Sequence, residues 1–174
     1  MSSEGKSVSR SSGHVGWLLL VVAAALVAVI GRSVWRSNHA APAGDGPTHW
    51  VAIGDAASAS RTSGKPILYD FNAAWCPPCQ ALKREVFSDP SRASAVEAQV
   101  VPVTVVDRGR EDGRNKPEVD ELQRRFDVYA LPTLVVLSPR TGRYEKREGY
   151  GDPQETLEWI TRSARSVQAG ASAP

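Results

Sequence analysis

The only two cysteines of this 174-residue chain are separated by two prolines, in the segment Trp75-Cys-Pro-Pro-Cys79. Two thiols at this spacing can close into a disulfide, reopen, and exchange with a disulfide of another molecule. The same pair is also half of a zinc site, which would need two further thiolates or imidazoles. There is no other cysteine, and the three histidines, His14, His39 and His49, lie before the pair in the sequence. The residue types therefore favour redox chemistry over metal binding.

The cysteine pair lies where a predicted strand gives way to a predicted helix. Residues 67–71 are a short apolar run typical of a buried strand, and residues 78–87 show helical periodicity. Unpaired backbone N–H groups and the positive end of the helix dipole favour a thiolate at a helix N-terminus. We therefore expect Cys76 to have a lowered pKa and to act as the nucleophile. Cys79, one turn into the helix, is the expected resolving thiol.

The elements that position the pair form an alternation of strands and helices. Further strands are predicted at 100–106, 133–137 and 144–147, and further helices at 56–63, from 117 to about 126, and from 153 to about 167. A charged loop is predicted between them at 107–116. Strands that are apolar along their whole length need helices on both faces. The pattern therefore predicts an α/β layered domain with a parallel half and an antiparallel hairpin.

Composition and charge narrow the class of protein. The chain is 41% hydrophobic and 23% charged, as in a globular protein, and its formal net charge is only +2. Four of its 21 basic side chains and one of its 19 acidic ones precede residue 45, so the remainder is close to neutral. A nucleic-acid-binding domain would carry a basic excess. We expect no nucleic-acid partner.

An apolar stretch near the N-terminus predicts a membrane anchor. No charged side chain occurs from residue 11 to residue 31, a length that could span a bilayer as a helix, and Arg32 and Arg36 follow at once. We predict a transmembrane helix at 15–31. The alternative is a cleaved signal peptide, whose apolar region would be shorter and followed directly by a small-x-small site. The nearest such site, Ala41-Pro-Ala43, lies a dozen residues further on.

The remaining boundaries follow from composition. We predict an N-terminal tail at 1–14, a Pro/Gly-rich linker at 32–47, one folded domain at 48–166 and a disordered tail at 167–174. The basic residues on the two sides of the apolar stretch are equal in number, so the count does not set the orientation. The short N-terminal tail is typical of a signal anchor, which would place the large C-terminal part outside the cytoplasm.

Two segments resemble a known superfamily. Tyr69-Asp-Phe-Asn-Ala-Ala-Trp-Cys-Pro-Pro-Cys79 resembles the thioredoxin active-site segment, and Ala130-Leu-Pro-Thr-Leu134 resembles its cis-proline loop. Residues 79–90 and 118–133 most resemble the C-terminal domain of DsbD-type thiol:disulfide interchange proteins. The resemblance covers about residues 48–166 and implies a thioredoxin-like fold, a central mixed sheet flanked by helices, here preceded by one transmembrane helix. The multi-helix membrane domain of that family is replaced by one predicted helix, which implies a separate membrane electron donor.

The resemblance also implies residue roles. Cys76 matches the attacking cysteine, Cys79 the resolving one, and Pro132 the proline that follows a cis peptide bond beside the disulfide. Asp70 matches a buried acid beneath the resolving cysteine, and burial should raise its pKa so that it can take the proton of Cys79. The alternatives are an ordinary trans Pro132 and a solvated Asp70 at a strand end.

Substrate contacts are predicted next to the cysteines. The backbone of Leu131 could pair with an incoming substrate strand, and Trp75 and Thr133 are its predicted neighbours in the substrate site. For Trp75 the alternative is plain packing, and for Thr133 it is an ordinary strand position. The resemblance implies no cofactor beyond the Cys76–Cys79 disulfide and no metal.

These residues lead to one functional hypothesis with two alternatives. We expect a single-pass protein of the inner membrane whose catalytic domain lies in the periplasm and reduces disulfides in exported proteins. The first alternative is a thiol oxidase or isomerase of the same fold. The second is a redox-inactive binding module, with the cysteine pair serving as ligands for a metal.

Overall fold

The computed structural model describes residues 47–169. The predicted N-terminal tail at 1–14, the predicted membrane helix at 15–31, the linker up to residue 46 and the last five residues lie outside this range. Across the described part of the chain, none of the helices combines the length and the apolar character that crossing a bilayer requires.

The described residues form four strands and six helices. The strands are β1 (Ile67–Asn72), β2 (Val101–Val106), β3 (Thr133–Leu137) and β4 (Tyr144–Glu148). The helices are α1 (Ala56–Ser63), α2 (Pro77–Leu82), α3 (Pro90–Gln99), α4 (Gly109–Asp112), α5 (Pro117–Arg125) and α6 (Pro153–Gln168). A short 3-10 turn, Ile53–Asp55, precedes α1, and α2 continues as a π-helical turn over Lys83–Phe87.

The strands form one mixed sheet in the order β2-β1-β3-β4. Strand β1 pairs in parallel with β2, so that Asp70 lies opposite Thr104. It pairs antiparallel with β3, which places Asp70 opposite Leu134, and β3 in turn pairs antiparallel with β4. The predicted parallel half and antiparallel hairpin are confirmed.

Helices cover both faces of the sheet. On one face, Tyr69 and Phe71 of β1 pack with buried residues of α1 and α5. On the other face, Leu68 of β1 packs with buried residues of α2, α3 and α6. Because side chains alternate along a strand, Asp70 lies on the same face as Leu68, beneath the cysteine-bearing helix. The predicted α/β fold, with a central mixed sheet flanked by helices, is confirmed.

Three differences from the sequence predictions concern helices. Helix α3 was not predicted, although Asp89 and Pro90 are a helix-start signal: Oδ1 of Asp89 accepts a hydrogen bond from the backbone N–H of Arg92, 2.9 Å. Helix α4 forms within the predicted loop at 107–116. Helix α6 extends to Gln168 and buries Val167, so the predicted tail boundary at 167 is two residues too early.

Candidate active site

The two cysteines are joined in a disulfide at the start of α2. Their sulfur atoms are 2.03 Å apart and their Cα atoms 5.3 Å apart. Cys76 is the N-cap residue of α2, and Pro77 and Pro78 fill its first two positions, where a missing N–H costs nothing. The backbone N–H of Cys79 donates a hydrogen bond to Sγ of Cys76, 3.3 Å. When the pair is reduced, this N–H and the helix terminus stabilise a thiolate at Cys76.

Exposure does not distinguish the two sulfur-bearing side chains, since Cys76 is 2% exposed and Cys79 is 4% exposed. Both pack against Ala73, and Leu131 closes the cluster from the cis-proline side. The two cysteines differ in their neighbours. Cys76 caps the helix, whereas Cys79 lines a cavity that also reaches Asp70.

Asp70 is buried in β1 beneath α2, with only 4% of its surface exposed. Its Oδ2 accepts a hydrogen bond from Nδ2 of Asn72, 2.8 Å, and Nδ2 of Asn72 also donates to Oγ1 of Thr104, 2.9 Å. Its Oδ1 is buried without a hydrogen-bond partner. The alternative of a solvated strand-end carboxylate is therefore wrong.

Burial raises the pKa of Asp70 from 3.8 to about 7, because a carboxylate there has lost its water. The hydrogen bond from Asn72 and the positive charge of Lys83 act in the opposite direction and lower that pKa. At neutral pH the group is thus divided between its protonated and ionised forms. This balance suits a group that accepts and returns a proton.

A cavity of about 360 Å³ connects the acid with the resolving cysteine. Its lining includes Asp70, Cys79, Lys83 and Thr104, with Trp50 at one side. Cys79 and Asp70 therefore line the same cavity, through which a proton can pass from the thiol to the carboxylate.

Sequence reasoning missed Asn72 and Lys83, although each carries a positional signal. Asn72 is two residues after Asp70 in a strand, and Lys83 is four residues after Cys79 in a helical segment. Residues at those separations share a face of their element. Lys83 is 13 residues from Asp70 in the sequence, and the packing of α2 on β1 brings it to the same cavity.

The peptide bond between Leu131 and Pro132 is cis, as predicted. The carbonyl oxygen of Pro132 accepts a hydrogen bond from the N–H of Gly149, 2.8 Å, which ties this loop to the end of β4. Within residues 47–169, the backbone of Leu131 makes no hydrogen bond. Its N–H and C=O groups thus remain available beside the disulfide.

A comparison with protein families matches residues 53–164 to the thioredoxin-like domain. The chain belongs to the thioredoxin-like family. The match covers most of the described residues, including both cysteines, Asp70 and the cis-proline loop. The resemblance seen in the sequence is confirmed.

Relatives of this thioredoxin-like chain include thiol:disulfide interchange proteins. DsbD of Salmonella typhi is 28% identical over 123 residues, which cover 67% of this chain and 20% of that protein. DsbD 1 of Pseudomonas aeruginosa is 29% identical over 117 residues, 63% of this chain and 18% of that protein. The chain therefore spans about a fifth of the length of these relatives.

Solved structures share the fold. A thioredoxin from Thermus thermophilus superposes with a TM-score of 0.59 at 26% identity, covering 72% of this chain and 94% of that one. The oxidised C-terminal domain of Neisseria meningitidis DsbD superposes with a TM-score of 0.51 at 21% identity, covering 66% of this chain and 97% of that one. The second likeness shows the fold alone.

The predicted substrate residues of this thioredoxin-like domain differ in their surroundings. Thr133 is 0% exposed, and its Oγ1 donates to the carbonyl of Ala130, 2.8 Å, so its assignment as a substrate-contacting side chain is wrong. Trp75 is 43% exposed, and the guanidinium of Arg110 lies 4.9 Å from its ring centroid. The alternative that Trp75 is an ordinary packed residue of the core is therefore wrong. Arg110, 35 residues away in the sequence, was not predicted.

Proposed function

We propose that this chain is a membrane-anchored thiol:disulfide oxidoreductase that reduces disulfides in exported proteins. The observation that carries the proposal is the disulfide at the start of α2, which lies between the cis-proline loop and a buried acid. The helix terminus activates one cysteine, and Asp70 shares a cavity with the other. A disulfide that served only to stabilise the fold would need neither feature.

The reaction proceeds in two exchanges. The Cys76 thiolate attacks one sulfur of the substrate disulfide, which forms a mixed disulfide and releases the other substrate sulfur as a thiolate. Cys79 then gives its proton to Asp70 and attacks Sγ of Cys76. The second substrate sulfur leaves as a thiolate, and the two substrate thiolates take up two protons, one returned by Asp70 and one from water. The substrate has gained two electrons and two protons, and the Cys76–Cys79 pair is oxidised to the disulfide.

The cis-proline loop provides a place for an extended substrate segment. The unpaired backbone of Leu131 can accept a substrate strand by β-augmentation, and Trp75 offers an exposed aromatic surface next to Cys76. Backbone pairing of this kind recognises an extended conformation of the substrate rather than a particular side chain. This supports a protein substrate whose disulfide lies in an accessible extended segment.

The reducing direction is supported by Asp70. Deprotonation of Cys79 is needed to resolve a mixed disulfide, and this step completes the reduction of a substrate. The relatives named as thiol:disulfide interchange proteins agree with exchange in general and leave oxidation or isomerisation as the alternative.

We expect the full-length chain to catalyse reduction of insulin by dithiothreitol with many turnovers per protein molecule. An active pair passes repeatedly between dithiol and disulfide, whereas a cysteine pair that serves only as a ligand or a structural cross-link does not. Turbidity of the released B chain measures the rate. A rate equal to that of dithiothreitol alone would support the redox-inactive alternative.

For the cellular setting, we propose a single-pass anchor at 15–31 in the inner membrane, the thioredoxin-like domain in the periplasm and a separate membrane protein as electron donor. The uncharged stretch supports the anchor. A donor is needed because each reduced substrate leaves the cysteine pair oxidised, and one helix cannot conduct electrons across the bilayer.

We expect the mature chain to remain full length in the membrane fraction after carbonate extraction. We also expect a membrane-impermeant maleimide to label the reduced cysteines in cells whose outer membrane alone has been opened. Mass spectrometry shows whether the mature chain is full length, and gel mobility shows whether the maleimide has labelled the cysteines. A soluble product beginning near Gly44, or labelling only after the inner membrane is opened, would contradict the anchored arrangement.

A further inference from the structure

The loop between β2 and α5, residues 107–116, is built as a fixed structure. Oδ1 of Asp107 accepts from the N–H of Gly109, 2.8 Å, and Oδ2 of Asp107 accepts from Nε2 of Gln123 in α5, 2.7 Å. Oδ1 of Asn115 accepts from the N–H of Arg108, 2.7 Å, which closes the loop on itself. The loop is thus held at both its ends and against α5.

This loop places a cation beside the active-site disulfide. The guanidinium of Arg110 lies 4.9 Å from the ring centroid of Trp75, which directly precedes Cys76. Attraction between a guanidinium and the face of an indole holds the side chain in this position. Both side chains are exposed at the surface that a substrate must approach.

Two other charged side chains at the start of the loop, Asp107 and Arg108, are already engaged within the fold. Arg108 pairs with Asp112, at 2.6 Å, and both oxygens of Asp107 accept hydrogen bonds within the fold. Among residues 47–169, by contrast, Arg110 forms no ion pair with a carboxylate. Within the same range the Arg110 side chain donates no hydrogen bond, so its N–H groups are available, and their fork geometry matches a carboxylate.

We propose that Arg110 determines substrate specificity by binding a carboxylate next to the reactive cysteine of the substrate. Because Trp75 and Leu131 flank the disulfide, a segment paired with Leu131 brings its residues adjacent to the cysteine towards the Trp75–Arg110 pair. The preferred substrates are protein segments with Asp or Glu beside the cysteine. This inference rests on the proposed function.

The test uses three peptides with one cysteine each, blocked as a neutral 2-thiopyridyl disulfide, and with Glu, Gln or Lys beside that cysteine. The reduced full-length chain reacts with each peptide. Attack of Cys76 on the peptide sulfur releases pyridine-2-thione, whose absorbance gives the second-order rate constant. The same peptides with dithiothreitol correct for their intrinsic reactivity.

After this correction, we expect the Glu peptide to react about three- to fivefold faster than the Gln peptide, the size of a partly exposed ion pair. The Lys peptide should be slower still. The preference should shrink at high ionic strength, since salt screens exposed charges. Arg110→Gln should bring the ratio close to one, and Arg110→Lys should keep part of it.

Arg114→Gln is the matched control, because it removes the same charge from the same loop at an exposed residue that makes no cation–π contact with Trp75. It should keep the ratio. Equal corrected rates for the three peptides, or an equal loss of preference in the Arg110 and Arg114 variants, would overturn the inference while leaving the proposed function intact. No reaction of the wild-type chain with any peptide would contradict the proposed function itself.

Discussion

Replacement of Cys76 by serine is expected to lower the rate of insulin reduction about a thousandfold or more, because a serine hydroxyl is a far weaker nucleophile than a thiolate. Replacement of Cys79 by serine should also stop turnover, but at a later step. Cys76 would still attack a substrate disulfide, and no thiol would remain to resolve the product. A stable mixed disulfide should therefore accumulate in Cys79→Ser and be absent in Cys76→Ser.

Non-reducing gels and mass spectrometry of the trapped species measure this difference. The control is alkylation of the reduced wild-type chain with limiting iodoacetamide, which should modify Cys76 first because only its sulfur caps the helix. A mixed disulfide trapped by Cys76→Ser, together with first alkylation at Cys79, would show that the two roles are reversed.

Replacement of Asp70 by asparagine is expected to stabilise the oxidised chain at high pH. An unfolded aspartic acid ionises near pH 4, whereas Asp70 in the fold holds its proton up to about pH 7. Between these values the folded state binds more protons than the unfolded state, so the free energy of unfolding falls as the pH rises through this window. Above pH 7 it remains at the lower level.

Asparagine carries no charge and so removes this loss of stability. We expect a gain of about 1–3 kcal/mol at pH 8 and much less at pH 4. This gain in the free energy of unfolding is smaller than the shift of the Asp70 pKa from 3.8 to about 7 would give by itself. The amide oxygen can accept from Asn72, but the amide NH₂ then takes the position of Oδ1, which has no hydrogen-bond partner. Urea unfolding of the wild type and of Asp70→Asn at the two pH values measures the free energies of unfolding.

The same substitution should slow catalysis. Without the carboxylate to take the proton of Cys79, resolution of the mixed disulfide is expected to slow about tenfold or more near neutral pH. Attack by Cys76 should change much less, since its activation comes from the helix terminus. Stopped-flow reduction of a model disulfide separates the two steps.

Asp55→Asn, the same chemical change at an aspartate outside the cavity lining, is the matched control for both measurements. It should leave the pH dependence of stability and the resolution rate close to those of the wild type. Unchanged resolution together with an unchanged pH profile in Asp70→Asn would remove Asp70 from the mechanism.

The sequence predicted the features that depend on local pattern. The apolar runs predicted β1, β2 and β3, and the spacing of the cysteines predicted the redox pair. The resemblance of residues 69–79 to the thioredoxin active-site segment predicted the role of Asp70. Helix α3 escaped prediction because its buried residues are only Ala93 and Val96, too few and too small to produce a strong apolar periodicity. Its start signal at Asp89 and Pro90 was the better indicator.

The features that the sequence did not predict depend on contacts between distant segments. Lys83 affects Asp70 only because α2 packs on β1, and Arg110 reaches Trp75 only because the loop at 107–116 folds back over the end of the sheet. Thr133 was misassigned because adjacency to Pro132 in the sequence does not reveal that its side chain points into the fold. In each case the missing information was the relative position of two elements.

The reduction potential of the Cys76–Cys79 pair in the full-length chain tests the central claim most directly. Equilibration with mixtures of reduced and oxidised glutathione, followed by acid quench and thiol alkylation, gives the fraction of dithiol at each ratio. A protein-disulfide reductase should have a potential near or below about −230 mV, more reducing than protein disulfide isomerase at about −180 mV. A potential near about −120 mV, as in a strong thiol oxidant, or a disulfide that does not exchange with glutathione at all, would contradict the account.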